Sequence, residues 1–179
     1  MDKGFNIVFL GASSVGKTSI IQRMAYGEFK DTGATMGVTF VPVHVELHDK
    51  KKVKLNLHDT AGQERYRSLA KITLNKANAV ILVYDITNTT SFEDLGYWVG
   101  EVNESLSEGV LLYIIGNKSD LIEQEAVSMK NAHKYADDAK AKLKIVSAKN
   151  GQNIEDLRVE IAQALLDSVA SLPQAPKEV

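Results

Sequence analysis

The chain has 179 residues, 44% hydrophobic and 25% charged, with no cysteine and a formal net charge of −2. This predicts one ordinary globular domain and excludes disulfides, thiolate metal sites and cysteine nucleophiles. The slightly acidic balance disfavours bulk binding to nucleic acid, which needs a basic surface. No run reaches about 18 apolar residues, so no membrane-spanning helix is expected. The first ten residues lack the apolar length and cleavage site of a secretory signal, so a cytoplasmic location is the expectation.

In chain order, residues 5–10 read as a buried strand and residues 17–24 as a helix. Val41, Val43, Val45 and Leu47 alternate with Pro42, His44, Glu46 and His48, the period of a half-buried strand. Val53, Leu55 and Leu57 repeat that period beyond Asp49 and three lysines, so the two runs predict a hairpin. Residues 79–84 and 111–116 are continuously apolar, as strands covered on both faces are. Ser91, with Asp94 three residues on, predicts a helix N-terminus. Ile145 and Val146 read as a short last strand. Ile154, Leu157, Ile161 and Leu165 fall on one face of a final helix. Residues 1–170 are thus expected to form one α/β domain with right-handed crossovers, and 171–179, holding two of the 3 prolines, a frayed tail.

Gly11-Ala-Ser13-Ser14-Val15-Gly16-Lys17-Thr18 fits G-x-x-x-x-G-K-[ST], between a strand and a helix. Its glycines let successive backbone N–H groups curl around phosphate oxygens, and the helix N-terminus adds a favourable field. Lys17 can reach the terminal phosphates and Thr18 offers a hydroxyl to Mg²⁺. Asp59-Thr-Ala-Gly62-Gln63 ends the second hairpin strand, at the sheet edge where ligands of open α/β sheets bind. Asp59 can hold a metal-bound water, and Gly62 can place an N–H against a γ-phosphate. Asn117-Lys118-Ser119-Asp120 follows the next core strand. The Asp120 carboxylate can accept from guanine N1 and N2, a donor pair that adenine lacks. Ser147-Ala148-Lys149 follows the last strand, where the Ala148 amide can face guanine O6. The Asn117–Asp120 run taken singly reads as a surface turn; the order and positions of the motifs together point to a guanine-nucleotide site.

With these motifs the sequence resembles a Ras-superfamily small GTPase over nearly its whole length. It is most similar to the Rab branch, through the run from Asp59 to Leu69, Thr35-Met-Gly-Val-Thr-Phe40, Tyr84-Asp-Ile-Thr87 and Ser91-Phe92. Where Ras-like and Rho-like chains usually carry a second acid, Arg65 stands here. The resemblance implies a P-loop NTPase fold: a six-stranded, mostly parallel sheet with one antiparallel strand and helices on both faces. It implies GTP and GDP as ligands and Mg²⁺ as cofactor. Thr18, Thr35 and Asp59 would serve the metal, with Thr35 arriving only in the GTP state. Phe29 would stack on the base that Asn117, Lys118 and Asp120 read. Lys17 would hold phosphate and Gln63 would position the attacking water, making Gln63, Lys17 and Thr35 the catalytic set. No motif arginine is placed as a finger in cis, so hydrolysis is expected to be slow. A partner's groups would raise it by roughly 10³–10⁵, the range known for the relatives Ras and Gα.

The resemblance further implies a monomeric regulator of vesicle traffic. Exchange factors, activating proteins and effectors would bind through residues 30–40, from Lys30 to Phe40, and 61–74, from Ala61 to Leu74. Both stretches are poor in apolar residues and flank the phosphate site, as switch segments must. The chain departs from Rab chains at His58, where Trp is usual, and at Thr73-Leu74-Asn75, where Tyr-Tyr-Arg is usual. The first switch is one residue shorter between Phe29 and Thr35. There is no cysteine to prenylate and the second residue is Asp2, so no direct membrane anchor is expected in this chain. It would reach the cytosolic face of endomembranes through a lipidated tail beyond these residues or through partners.

Two other functions fit the motifs: a nucleotide-locked interaction module with negligible turnover, and an ATP-dependent small-molecule kinase. Gln63 and Thr35 argue against the first, Asp120 and the missing lid against the second. The four histidines show no metal-ligand spacing, Lys50 to Lys52 read as a hairpin tip, and Trp98 reads as core.

Overall fold

Strand β1 (Phe5–Leu10) shows how the sheet is covered from both sides. In the computed structural model, which describes residues 4–30, 32–63, 66–105 and 109–171, Ile7 and Phe9 point into one apolar cluster and Val8 and Leu10 into another. A strand with both faces buried needs an unbroken apolar run, and that run is what the sequence carries.

The elements are β1, α1 (Lys17–Tyr26), β2 (Val38–Glu46), β3 (Lys52–Thr60), α2 (Arg67–Leu74), β4 (Ala79–Asp85), α3 (Thr89–Glu93), α4 (Leu95–Ser105), β5 (Leu111–Asn117), α5 (Met129–Asp138), β6 (Lys142–Ile145) and α6 (Ile154–Ala170). The strands form one sheet in the order β2-β3-β1-β4-β5-β6. Only the β2–β3 pair is antiparallel. The expected α/β architecture, with a mostly parallel six-stranded sheet and one antiparallel strand, is therefore present.

One cluster unites the sheet with α1 and α6, through Ile20, Ile21, Met24, Leu157, Ile161 and Leu165. The other unites it with α2, α4 and α5, through Leu74, Leu95, Trp98, Val102, Ala132 and Ala136. Trp98 is 1% exposed, as expected of a core residue. Truncating it to Ala would cost about 3–5 kcal/mol. The β2–β3 ribbon is covered on one face alone. Val43, Val45, Val53, Leu55 and Leu57 are buried, whereas Phe40, Pro42, His44 and Lys54 are exposed or half-buried. That asymmetry is the physical origin of its alternating sequence.

Several boundaries differ from the sequence reading. The helix after β4 starts at Asn88, whose side chain accepts from the Ser91 N–H at 3.1 Å. Ser91 is buried instead of capping, and its hydroxyl accepts from the Asp85 N–H at 3.0 Å. A buried hydroxyl takes the nearest unpaired backbone group. β2 begins three residues before Val41, and β6 lies at Lys142–Ile145, leaving Val146 beyond it. Ser171 ends the described chain, and the rest of the expected tail, 172–179, lies outside the described residues. Among the described residues no helix is long and apolar enough to cross a membrane.

Candidate functional site

The loop between β1 and α1 turns because Gly16 takes φ 101° at the helix N-cap. The left-handed conformation favours glycine, and space demands it too. A Cβ on Gly16 would lie 2.2 Å from Asn117 Nδ2. Lys17 folds back inside the loop, its ammonium donating to Gly11 O at 2.9 Å and Ala12 O at 2.7 Å. The side chain is almost wholly buried, and burial lowers its pKa to about 8, partly opposed by the Asp59 charge.

Beside it, three oxygens converge from three elements. Thr18 Oγ1 donates to Asp59 Oδ2 at 2.5 Å, and the Thr18 and Thr35 hydroxyls are 2.7 Å apart. Thr35 Oγ1 lies 3.4 Å from the same carboxylate oxygen. Asp59 is 2% exposed, and its second oxygen is buried with no hydrogen-bond partner. Burial pushes the Asp59 carboxyl up, against the pull of Thr18, Lys17 and Thr35. An orphaned buried carboxylate oxygen among hydroxyls is a donor set for a hard, oxygen-preferring cation. These residues therefore fit Mg²⁺.

Gly62 packs against the loop so closely that a Cβ would lie 2.4 Å from Ser13 N. Gln63 follows it, and its carbonyl accepts from the Tyr66 N–H at 3.0 Å. The 61–74 stretch thus starts in contact with the phosphate loop, before α2 takes over.

The other side of the cleft is built at the ends of β5 and β6. Asn117 Nδ2 donates to Val15 O at 2.9 Å and its Oδ1 accepts from Ala148 N at 3.1 Å. The Ala148 amide, expected to face guanine O6, is therefore engaged by Asn117: the buried Asn oxygen needs a donor and this is the one within reach. Lys118 adopts φ 69° and reaches Asp85 Oδ2 at 2.6 Å. Burial would raise the Asp85 pKa, but Lys118 and Thr87 hold it below the ordinary carboxylate value. Asp120 Oδ1 accepts from Ser147 Oγ at 2.6 Å.

These segments enclose one cleft of about 400 Å³, well within the range of small-ligand sites. Its wall includes Ser13, Ser14, Gly16, Lys17, Thr18, Phe29, Thr35, Gly62, Asn117, Lys118, Asp120, Ala148 and Lys149. Of the remaining sequence candidates, Val15 and Ser147 are buried behind the wall and act through the bonds just given. Asp59 stands behind Thr18, and Gln63 is off the wall, beside Gly62. Ser19, Lys30, Thr32, Gly33, Ala34, Thr60 and Leu121 complete the lining; of these only Ser19 and Leu121 lie outside the motifs and the 30–40 stretch read from the sequence. Arg23 is a second omission. Its Nε donates to Ala148 O at 2.9 Å and its Nη2 to Lys149 O at 2.6 Å, bracing the 147–149 loop from α1.

A mostly parallel sheet whose first loop wraps a buried lysine, with the 117–120 loop beside it at the carboxyl end of β5, defines a P-loop nucleotide-binding fold. The family model described as Ras family matches residues 6–167. The chain belongs to the Ras family, whose members are small GTPases that switch between GTP- and GDP-bound states.

Proposed function

We propose that this chain is a Rab-type switch that holds GTP or GDP with Mg²⁺, hydrolyses GTP slowly and regulates vesicle traffic. The observation that carries the guanine reading is the convergence of Asp120, Asn117 and the phosphate loop on one cleft. The Rab reading rests on the motif from Asp59 to Leu69 and on Thr35 to Phe40. His58 replaces an aromatic next to Phe40, and the two rings meet at 5.4 Å, so the effector patch is half-polar here.

Thr18, Thr35 and Asp59 would hold the metal, which would supply charge screening of the phosphates. Lys17 faces the β- and γ-phosphates, and the loop's N–H groups bind their oxygens. Phe29, 45% exposed, is free to close on the base. Gln63 orients the attacking water. Catalysis is then positioning and electrostatics, with no covalent step by the protein. Residues 30–40 and 61–74 are ordered by the γ-phosphate and released after hydrolysis, which gives exchange factors, activating proteins and effectors two surfaces to tell apart. Residues 1–170 form this switch domain.

Nucleotide extracted from the purified protein tests the reading. GDP or GTP is expected, and ATP or ADP overturns it. Single-turnover hydrolysis of GTP, lost on removal of Mg²⁺ and slowed in Gln63→Leu, separates a switch from a locked binding module.

A further inference from the structure

Helix α2 is weakly rooted. Of its eight residues only Ala70 and Leu74 are buried. Its neighbour α4 is the opposite, with Leu95, Trp98 and Val102 in the core. The two meet at a cationic contact. The Arg67 guanidinium lies 4.1 Å from the Tyr97 ring centroid and 5.9 Å from that of Trp98. Tyr97 and Trp98 pack edge to face at 4.9 Å, so the platform is backed by a fully buried ring. One turn on, Lys71 Nζ reaches Glu101 Oε1 at 2.7 Å and lies 5.8 Å from the Tyr97 centroid.

We propose that Arg67, stacked on Tyr97, is a positioning residue for GTP hydrolysis: it fixes the first turn of α2 to α4 and thereby sets where Gln63 sits. The inference rests on the role of Gln63 proposed above. The path is short. Gln63 O is bonded to the Tyr66 N–H, and Tyr66 is the residue before Arg67. A guanidinium suits this contact because it is planar, weakly hydrated and stacks on rings, which an ammonium does less well. The Lys71–Glu101 pair, its lysine exposed and its carboxylate largely covered, ties down the next turn and lies farther along the chain from Gln63. Since a displacement near 1 Å can cost about a hundredfold in rate, a contact holding the turn that carries Gln63 controls turnover without touching nucleotide.

The test compares Arg67→Gln, Tyr97→Leu and Tyr97→Phe in the whole chain, without partners. Single-turnover GTP hydrolysis should slow by about three- to tenfold in the first two, the range expected for losing one partly desolvated cation–π contact. Tyr97→Phe keeps the ring face and should hydrolyse at the parent rate. GTP affinity should stay within about twofold in all three, because the cleft is untouched. In a Gln63→Leu background Arg67→Gln should slow nothing further. Equal loss in Tyr97→Phe and Tyr97→Leu, unchanged hydrolysis in Arg67→Gln, or an undiminished effect in the Gln63→Leu background overturns the proposal. Amide hydrogen exchange over 66–74 reads the anchor independently of chemistry. Faster exchange in Arg67→Gln with a Gln63→Leu enzyme of normal rate would leave the anchor standing and condemn the role given to Gln63. Unchanged exchange would condemn the anchor.

Discussion

Asn117 ties the base side of the site to the phosphate loop, its amide bonded to Val15 O at 2.9 Å and its oxygen to Ala148 N at 3.1 Å. Its Nδ2 also occupies the space a Cβ on Gly16 would need. Removing the side chain leaves a buried carbonyl and a buried N–H unpaired, each worth about 1–3 kcal/mol. Asn117→Ala should lower the unfolding free energy by about 2–6 kcal/mol in urea titrations and weaken nucleotide binding as well. Wild-type stability would mean water replaces both bonds.

Asp120 already accepts one hydroxyl, from Ser147. In Asp120→Asn the amide oxygen can keep that bond, which turns the NH₂ toward the base. Two guanine donors then face a donor. GTP should bind about a hundredfold more weakly, the loss of about 3 kcal/mol in charge-assisted bonds. Xanthosine nucleotides, with an acceptor at C2, should gain relative to guanosine ones. Competition binding reads both, and unchanged GTP affinity would remove Asp120 from base recognition.

Thr35 reaches Thr18 at 2.7 Å and Asp59 at 3.4 Å from a stretch with few buried neighbours. This hydroxyl ties the 32–37 stretch to Thr18 and Asp59. Thr35→Ala should leave GDP affinity nearly intact. With a non-hydrolysable GTP analogue, amide exchange over 32–40 should become faster than in the parent protein. Equal protection in both proteins would show that the switch is held elsewhere.

Lys17 carries a testable pH dependence. Burial lowers its free-state pKa to about 8. Phosphate beside the ammonium must raise it, so binding takes up a proton above pH 8. The contribution is fully present below the free-state value and is lost as pH rises towards the bound-state value. GTP affinity should therefore fall above about pH 8, by at most about tenfold per unit. Calorimetry at pH 8.5 in two buffers of different ionisation enthalpy measures the uptake; none would mean that Lys17 stays charged without nucleotide.

Local sequence specifies the strands with both faces buried, the half-covered hairpin and the phosphate loop. Each is written in consecutive residues: unbroken apolar runs, a period of two, and glycines with a lysine at fixed spacing. The motif residues that line the cleft were equally legible, because backbone geometry at a strand's end fixes where their side chains begin. The contacts that local sequence leaves open join partners far apart in the chain. Arg23 bracing Ala148, Asp85 fixing Lys118 and Arg67 stacking on Tyr97 leave no local signal. The Ala148 amide went to Asn117, and the cap went to Asn88 with Ser91 buried, for the same reason. A polar group in the interior bonds to whichever partner the packing brings within about 3 Å, and only the assembled sheet settles which partner that is.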